Sequence, residues 1–311
     1  MTASGDLPLT GVTIVALEHA IAAPLATRHL ADLGARVIKV ERPGTGDFAR
    51  DYDARVRGIF SDFVWVNRSK ESVVLDLKDE DGREALSRLL HRADVFVENL
   101  APGAVARLGF GSERLRERHP SLIACSISGY GQTGEYGSKK AYDLVIQCET
   151  GVVSITGTSD EPVKVGIPIA DIAAGMYAYS GILAALIRRE RTGRGAIVDV
   201  SMLEALGEWV GFPSYYAMYG GDDLPRTGVS HSAIAPYGPF TTGDSEQVFV
   251  GVQNEREWER LCDVVLDEPE LARDERFASN SARVANRDAL TARIAAVASR
   301  VLAEIGMGVA S

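Results

Sequence analysis

The sequence has few of the residues that build metal, redox or nucleic-acid sites. Its three cysteines, Cys125, Cys148 and Cys262, lie too far apart for a CxxC zinc or redox motif. An odd number of scattered thiols is typical of a protein in the reducing cytoplasm. The five histidines show no metal-ligand spacing. We therefore predict no metal and a cytoplasmic protein.

Positive charge and long apolar runs are also scarce. The 33 Lys and Arg residues against 43 Asp and Glu residues give a net charge of −10. A nucleic-acid partner requires a basic face, so we expect none. An anionic small molecule remains compatible, because a few local donors suffice to hold a phosphate. No stretch is taken as long and apolar enough to span a bilayer, and no membrane partner is predicted.

Strand-like and helix-like segments alternate along the first two thirds of the chain. Short apolar runs predict strands at residues 12–17, 36–40, 73–77, 95–97, 123–128 and 196–200. Other segments predict helices at 24–33, 79–90 and 171–190, and from residue 202 onward. Strands separated by helices form βαβ units, so we predict an α/β fold with a mainly parallel sheet.

The composition changes near residue 220. Residues 219–228 are rich in Gly, Asp and Pro and predict a linker. A strand pair within 237–252 and helices from residue 255 predict a smaller α+β domain. We therefore predict a large domain at 1–218 and a small domain at 229–311.

The first strand, helix and second strand follow the order of a dinucleotide-binding fold, with Glu41 after the second strand. That fold needs a glycine-rich turn after the first strand, so that the backbone can approach the pyrophosphate. Residues 18–24 read EHAIAAP and contain no glycine. Gly44 and Gly46 follow the second strand without a third glycine. We therefore predict no nicotinamide cofactor.

Short motifs follow one another in a fixed order between residues 9 and 260. They are LTGV at 9–12, LADLGA at 30–35, VIKVERP at 37–43, NRSK at 67–70, LDLK at 75–78, DVFVEN at 94–99, PG at 102–103, SGYG at 128–131 and RTGRG at 191–195. With these spacings they resemble the class III CoA-transferase family, which includes formyl-CoA transferase, carnitine CoA-transferase-like proteins and the α-methylacyl-CoA racemases. The resemblance implies a Rossmann-like large domain, a smaller α+β domain and a homodimer of interlocked chains. It also implies a C-terminal segment that returns to the large domain and that is missing here.

The resemblance also implies site residues. The family nucleophile matches Asp171, within PIADIAAGM at 168–176. On physics alone, an Asp before a helix is an N-cap, and the two roles can coexist. We expect backbone N–H groups at the start of this helix to stabilise an oxyanion. His19 and Ile21 match further active-site positions.

Acyl-CoA is the substrate that the resemblance implies. The family's contacts to the adenine and phosphates match Arg42, Leu75 and Lys78. Its contacts along the pantetheine and phosphate path match Asn99, Leu100, Arg107 and Leu108. Its contacts at the reactive end match Lys140 and Tyr142.

Position 142 separates two activities of this family. The racemases carry His-Asp where this chain has Tyr142-Asp143, and a tyrosine with pKa ~10 is a poorer base at neutral pH than a histidine with pKa ~6.5. We therefore predict a CoA-transferase, with an α-methylacyl-CoA racemase or a truncated, non-catalytic CoA-binding protein as alternatives. Residues 231–238 and 250–258 look more like members that act on short dicarboxylic acids, such as succinate, itaconate, mesaconate or citramalate, than like oxalate enzymes.

Overall fold

The computed structural model describes residues 7–241 and 247–305, with side chains up to residue 297. Contacts within the chain form two compact units. The first unit takes the described residues up to Val152 together with Val165–Phe212. The second takes Val153–Lys164 and the described residues from Pro213 onward. A large domain at 1–218, a linker at 219–228 and a small domain at 229–311 remain a proposal.

A six-stranded parallel sheet forms the centre of the first unit. Its strands are Thr13–Leu17 (β1), Arg36–Glu41 (β2), Lys70–Val74 (β3), Val95–Glu98 (β4), Ile123–Ser128 (β5) and Ile197–Ser201 (β6). Their spatial order is β3-β2-β1-β4-β5-β6, and each neighbouring pair is parallel. The predicted α/β fold with a mainly parallel sheet is confirmed. In sheets of this order, ligands bind outside the carboxyl ends of the strands where the order reverses, which here is between β1 and β4.

Helices cover both faces of this sheet. In chain order they are Ala22–Asp32 (α1), Ser61–Asn67 (α2), Glu80–Leu90 (α3), Ala104–Arg107 (α4), Ser112–Arg118 (α5), Asp143–Glu149 (α6), Ile169–Thr192 (α8) and Met202–Trp209 (α9). Two more helices, Val152–Ile155 (α7) and Gly211–Gly220 (α10), belong mostly to the second unit. All four residues of β4 are buried, as expected for a parallel strand covered on both faces. Leu86 and Leu90 of α3 belong to the same apolar cluster as Val15 and Leu17 of β1.

Strand β3 begins and ends three residues earlier than predicted. The sequence prediction of 73–77 followed the apolar residues, whereas the strand pairs with β2 from Lys70 to Val74. Leu75 and Leu77 lie beyond the strand and are apolar because they pack against the cluster beneath α3. A turn then forms, in which the Asp79 N–H donates to the Asp76 carbonyl.

Helix α8 extends two residues beyond the predicted 171–190 at each end. It ends at Gly193, whose φ of 67° is a left-handed conformation that glycine adopts without a Cβ clash. By length and composition α8 is apolar enough to cross a membrane, which corrects the prediction that no segment is. Its most apolar window is 44% buried, and it packs against α1 and α9.

The second unit contains the predicted strand pair and the helices that follow it. Tyr237–Thr241 (β7) and Gln247–Gly251 (β8) pair antiparallel, followed by Glu255–Arg260 (α11), Asn280–Ala285 (α12) and Arg287–Ile305 (α13). A 3₁₀ helix at Pro269–Arg273 and a π turn at Leu261–Val265 lie between α11 and α12. The core of this unit includes Trp258 and Phe277.

Candidate active site

The turn between β1 and α1 lies at the carboxyl edge of the sheet, where the strand order reverses. His19 is in this turn, and Asn99 directly follows β4. The Asn99 Oδ1 accepts from the His19 backbone N–H at 3.0 Å, and its Nδ2 donates to the His19 carbonyl at 2.9 Å. Asn99 therefore uses both ends of its amide to hold the turn.

A buried ion network supports the same turn. The Asp47 carboxylate accepts from the Ala20 backbone N–H at 3.2 Å and from the Lys39 ammonium at 2.8 Å. Glu18 accepts from Lys70 at 2.7 Å. Ala20 has a φ of 58°, which is strained for a residue with a Cβ and persists because its surroundings fix it. Burial lowers the pKa of Lys70 to about 8, although the Glu18 charge opposes this.

Asp171 lies in the first turn of α8. The helix begins at Ile169, so Asp171 is its third residue and the predicted N-cap role is wrong. The N-cap position belongs to Pro168, which has no polar side chain to cap the helix. Instead, the Asp143 Oδ1 accepts from the backbone N–H groups of Ala170 at 2.8 Å and of Asp171 at 3.3 Å.

The remaining N–H groups of this turn are also engaged. The Ile169 N–H donates to the Ile167 carbonyl at 2.8 Å, and the Ile172 N–H donates to the Pro168 carbonyl at 2.9 Å. The two N–H groups between these, those of Ala170 and Asp171, donate to Asp143. None of the four N–H groups is therefore available to a substrate oxygen. The expectation that the start of this helix stabilises an oxyanion is therefore corrected.

The N-terminus of α1 faces Asp171. The Ala22 backbone N–H lowers the pKa of the Asp171 carboxyl, as expected for a carboxylate at the positive end of the α1 dipole. Gly175, one turn further along α8, allows this approach. A Cβ on Gly175 would lie 2.7 Å from the Ala22 carbonyl oxygen and 3.2 Å from the Leu25 side chain.

The electrostatics of Asp171 favour its protonated form more than water does. Burial raises the pKa of the Asp171 carboxyl to about 7. This value includes the negative charges of Asp143 and Asp62, which also raise the pKa, and the Ala22 N–H, which lowers it. The carboxylate therefore retains more basicity than an aspartate in water, which a nucleophile needs.

The sequence prediction did not assign a role to Asp143 or Asp62. Asp143 stands next to Tyr142 in the matched AYD segment, so a signal for it was present. Asp62 is half-buried in the first turn of α2 and carries no motif.

A row of aromatic side chains begins at His19. The rings of His19 and Phe48 lie 5.0 Å apart, those of Phe48 and Tyr52 5.7 Å, and those of Tyr52 and Phe60 5.2 Å. Burial lowers the pKa of the His19 imidazole, which favours its neutral form. The pKa of Tyr52 is raised by burial and by its neighbours Asp47 and Tyr142. Tyr142 is 69% exposed.

Two of the residues matched to CoA contacts lie beside His19. One is Asn99, and the other is Arg42, whose charge lowers the pKa of His19. The Arg42 Nε donates to the Gly46 carbonyl at 2.9 Å, and the side chain is otherwise exposed. Arg107, at the end of α4, is exposed, and Nη1 lies 3.4 Å from the Pro102 carbonyl oxygen.

The matched leucines Leu75, Leu100 and Leu108 are half-buried and pack against one apolar cluster. Leu75 also lines a pocket of about 660 Å³ with Val73 and Arg88. Lys78 and Lys140 are exposed. Within the described residues, no hydrogen bond or ion pair joins either ammonium to the other matched positions.

The described part of the chain contains no group of three or more His, Cys, Asp or Glu side chains arranged to hold a metal ion.

Comparisons with known proteins connect this geometry to a family. The chain matches the family described as CoA-transferase family III over residues 9–305. It is 39% identical over 285 residues to the succinyl-CoA:glutarate CoA-transferase of Homo sapiens, covering 91% of this chain and 65% of that protein. It is 40% identical over 289 residues to the acetyl-CoA:oxalate CoA-transferase of Acetobacter aceti, covering 92% of this chain and 74% of that one. It thus spans slightly less than two thirds of the human relative.

Solved structures agree with the sequence matches. A CAIB/BAIF family protein from Brucella suis has a TM-score of 0.81 and 37% identity, with 98% of this chain and 84% of that chain covered. The protein Rv3272 from Mycobacterium tuberculosis has a TM-score of 0.82 and 33% identity, with 96% and 80% covered. The chain belongs to CoA-transferase family III.

Proposed function

We propose that the chain is a CoA-transferase and that Asp171 is its covalent nucleophile. The observation that carries this proposal is the setting of the Asp171 carboxylate, which faces the N-terminus of α1 and has a pKa raised to about 7. A carboxylate taken out of bulk water and held in one orientation is activated for attack on a thioester. The family membership and the transferase names of the relatives support this reaction class.

The proposed reaction exchanges one activated acyl bond for another. An Asp171 carboxylate oxygen attacks the thioester carbon, the C–S bond breaks, and an acyl-aspartyl anhydride and CoA thiolate form. The thiolate attacks the aspartyl carbonyl, which releases the donor acid and leaves an aspartyl-CoA thioester. The acceptor carboxylate attacks this thioester to give a second anhydride. The thiolate then takes the acceptor's acyl group and frees Asp171. Atoms and electrons balance without ATP or an oxidant.

We propose that CoA runs along the carboxyl edge of the sheet. Arg42 would bind the adenosine phosphates, because a guanidinium presents several donors in a plane. Leu75 and Lys78 would contact the adenine end. The other proposed contacts are Asn99, Leu100, Arg107, Leu108, Lys140 and Tyr142.

We propose that the acceptor is a short dicarboxylic acid. The relatives are named for glutarate, for oxalate and, in Haloarcula hispanica, for mesaconate, at 38–40% identity. Oxalate is itself a dicarboxylic acid, so these similarities do not separate it from the longer acids that the sequence favoured. The chain length of the acceptor is therefore the variable to measure.

A CoA-transfer screen tests the proposed function. Succinyl-CoA and acetyl-CoA are each incubated with oxalate, glutarate, itaconate, mesaconate and citramalate, and products are resolved by mass spectrometry. We expect transfer to at least one acid and none in Asp171→Ala. CoA should still bind to this variant, because the proposed phosphate contacts lie elsewhere. Asp263→Asn, an exposed aspartate of the second unit, is the control and should transfer normally. Normal turnover in Asp171→Ala would contradict the proposal.

Solvent deuterium separates transfer from racemisation. In the proposed reaction the proton next to the thioester carbonyl stays in place, so a 2-methylacyl-CoA should take up no enzyme-dependent deuterium. Tyr142 stands where the racemases of this family carry a histidine. Rapid deuterium uptake without CoA transfer to any acid tested would favour the racemase.

Assembly and location are further proposals. We propose a cytoplasmic homodimer with a Rossmann-like large domain. Light scattering coupled to gel filtration measures the mass directly, and a monomer at micromolar concentration would contradict the dimer.

A further inference from the structure

Asp143 provides the cap that helix α8 lacks. Pro168 occupies the N-cap position without a side-chain acceptor. The Asp143 Oδ1 accepts hydrogen bonds from the N–H groups of Ala170 and Asp171, at 2.8 and 3.3 Å. One of these belongs to the residue that carries the proposed nucleophile, so Asp143 fixes the backbone from which that carboxylate extends.

A second contact holds Asp143 itself. Its Oδ2 accepts from the Gln147 Nε2 at 2.6 Å, one turn along α6. The Gln147 Oε1 in turn accepts from the Val165 N–H at 2.9 Å, in the segment that leads to α8. Gln147 is fully buried, which restricts this arrangement to one geometry. The side chains of Asp143 and Gln147 therefore join α6 to the backbone at and before the start of α8.

We propose that Asp143 is a positioning residue, which orients Asp171 by capping α8 and places a fixed negative charge beside it. This inference rests on the proposed function of Asp171. A nearby negative charge disfavours ionisation of a carboxyl, so the Asp143 charge keeps Asp171 basic. The other groups that act on Asp171 are the Asp62 carboxylate from α2 and the Ala22 N–H from α1.

Two substitutions separate the cap from the charge. Asp143→Ala removes both, whereas Asp143→Asn keeps an oxygen that accepts the Ala170 and Asp171 N–H groups and gives up the bond from the Gln147 Nε2. We expect kcat to fall about 100-fold in Asp143→Ala, the loss typical of a misplaced reacting group, and less in Asp143→Asn. Both variants lose a negative charge next to Asp171. The acidic limb of the kcat/KM profile, near pH 7 in the wild type, should therefore move to lower pH in both.

The measurement is the full pH profile of transfer for the wild type, both variants and the Asp263→Asn control, with circular dichroism to check folding. Asp143→Asn retains the cap, so it remains informative if Asp143→Ala fails to fold. Wild-type kcat and an unmoved acidic limb in Asp143→Asn would overturn the inference. Equal losses in both variants with an unmoved limb would also overturn it, because the role would be structural only. Failure of the wild type to transfer CoA to any acid would overturn the proposed function instead.

Discussion

Asp171→Asn is expected to stabilise the folded protein above pH 7. The pKa of Asp171 rises from its ordinary value of 3.8 to about 7 on folding, chiefly through burial. The folded state therefore binds this proton more tightly than the unfolded state. Between about pH 4 and pH 7 the native state holds the extra proton, so the free energy of unfolding decreases as the pH rises.

The magnitude follows from the size of this rise. At about 1.4 kcal/mol per pH unit, a rise from 3.8 to about 7 costs about 4 kcal/mol of stability once the pH exceeds both values. Asparagine cannot ionise and has nearly the same shape, so the variant escapes this cost.

Urea unfolding of both proteins from pH 4 to pH 8 measures the effect. The free energy of unfolding of Asp171→Asn minus that of the wild type should grow by about 4 kcal/mol across this range, with most of the change complete by pH 7. Taking the difference cancels the titration of all groups that the substitution does not touch. If the free energies of unfolding of the two proteins differ by a constant amount from pH 4 to pH 8, the raised pKa of the Asp171 carboxyl is refuted.

Three further substitutions test other parts of the structure. Gly175→Ala should lower stability by about 1–3 kcal/mol and abolish transfer, because a Cβ would meet the Ala22 carbonyl oxygen; Gly207→Ala, with no atom within 4 Å, should do neither. Lys70→Ala should cost about 3 kcal/mol by leaving the buried Glu18 carboxylate short of a partner, whereas Arg36→Ala, which breaks an exposed pair, should leave the urea midpoint nearly unchanged. Arg42→Ala should weaken CoA binding by about 1.5–3 kcal/mol in titration calorimetry, and unchanged affinity would make Arg42 an ordinary surface charge.

The parallel sheet was predictable because its strands are short apolar runs bounded by polar turns. β1, β2 and β5 lie within one residue of the predicted bounds. The bounds of β3 were not predictable, because the apolar residues Leu75 and Leu77 pack beneath α3 from a turn. Periodicity alone does not distinguish such a turn from a strand.

The sequence motif predicted Asp171 as the nucleophile, but it did not predict the side chains that surround Asp171. The residue that caps its helix, Asp143, is 27 positions from Ala170 in sequence, and such a pairing depends on how α6 and α8 fold together. The start of α8 was misplaced for the same reason, since the local sequence offers no polar cap at Pro168. The ion network beneath Ala20 likewise joins residues that are distant along the chain.

Trapping the covalent intermediate tests the central claim most directly. The wild type is incubated with succinyl-CoA and hydroxylamine, which converts an activated aspartyl group into a hydroxamate, and the digested protein is examined by mass spectrometry. The mechanism predicts a hydroxamate at Asp171 that depends on acyl-CoA and is absent from Asp171→Asn. Transfer-competent protein with no modification at Asp171, or with an acyl-CoA-dependent hydroxamate at another carboxylate, would contradict it.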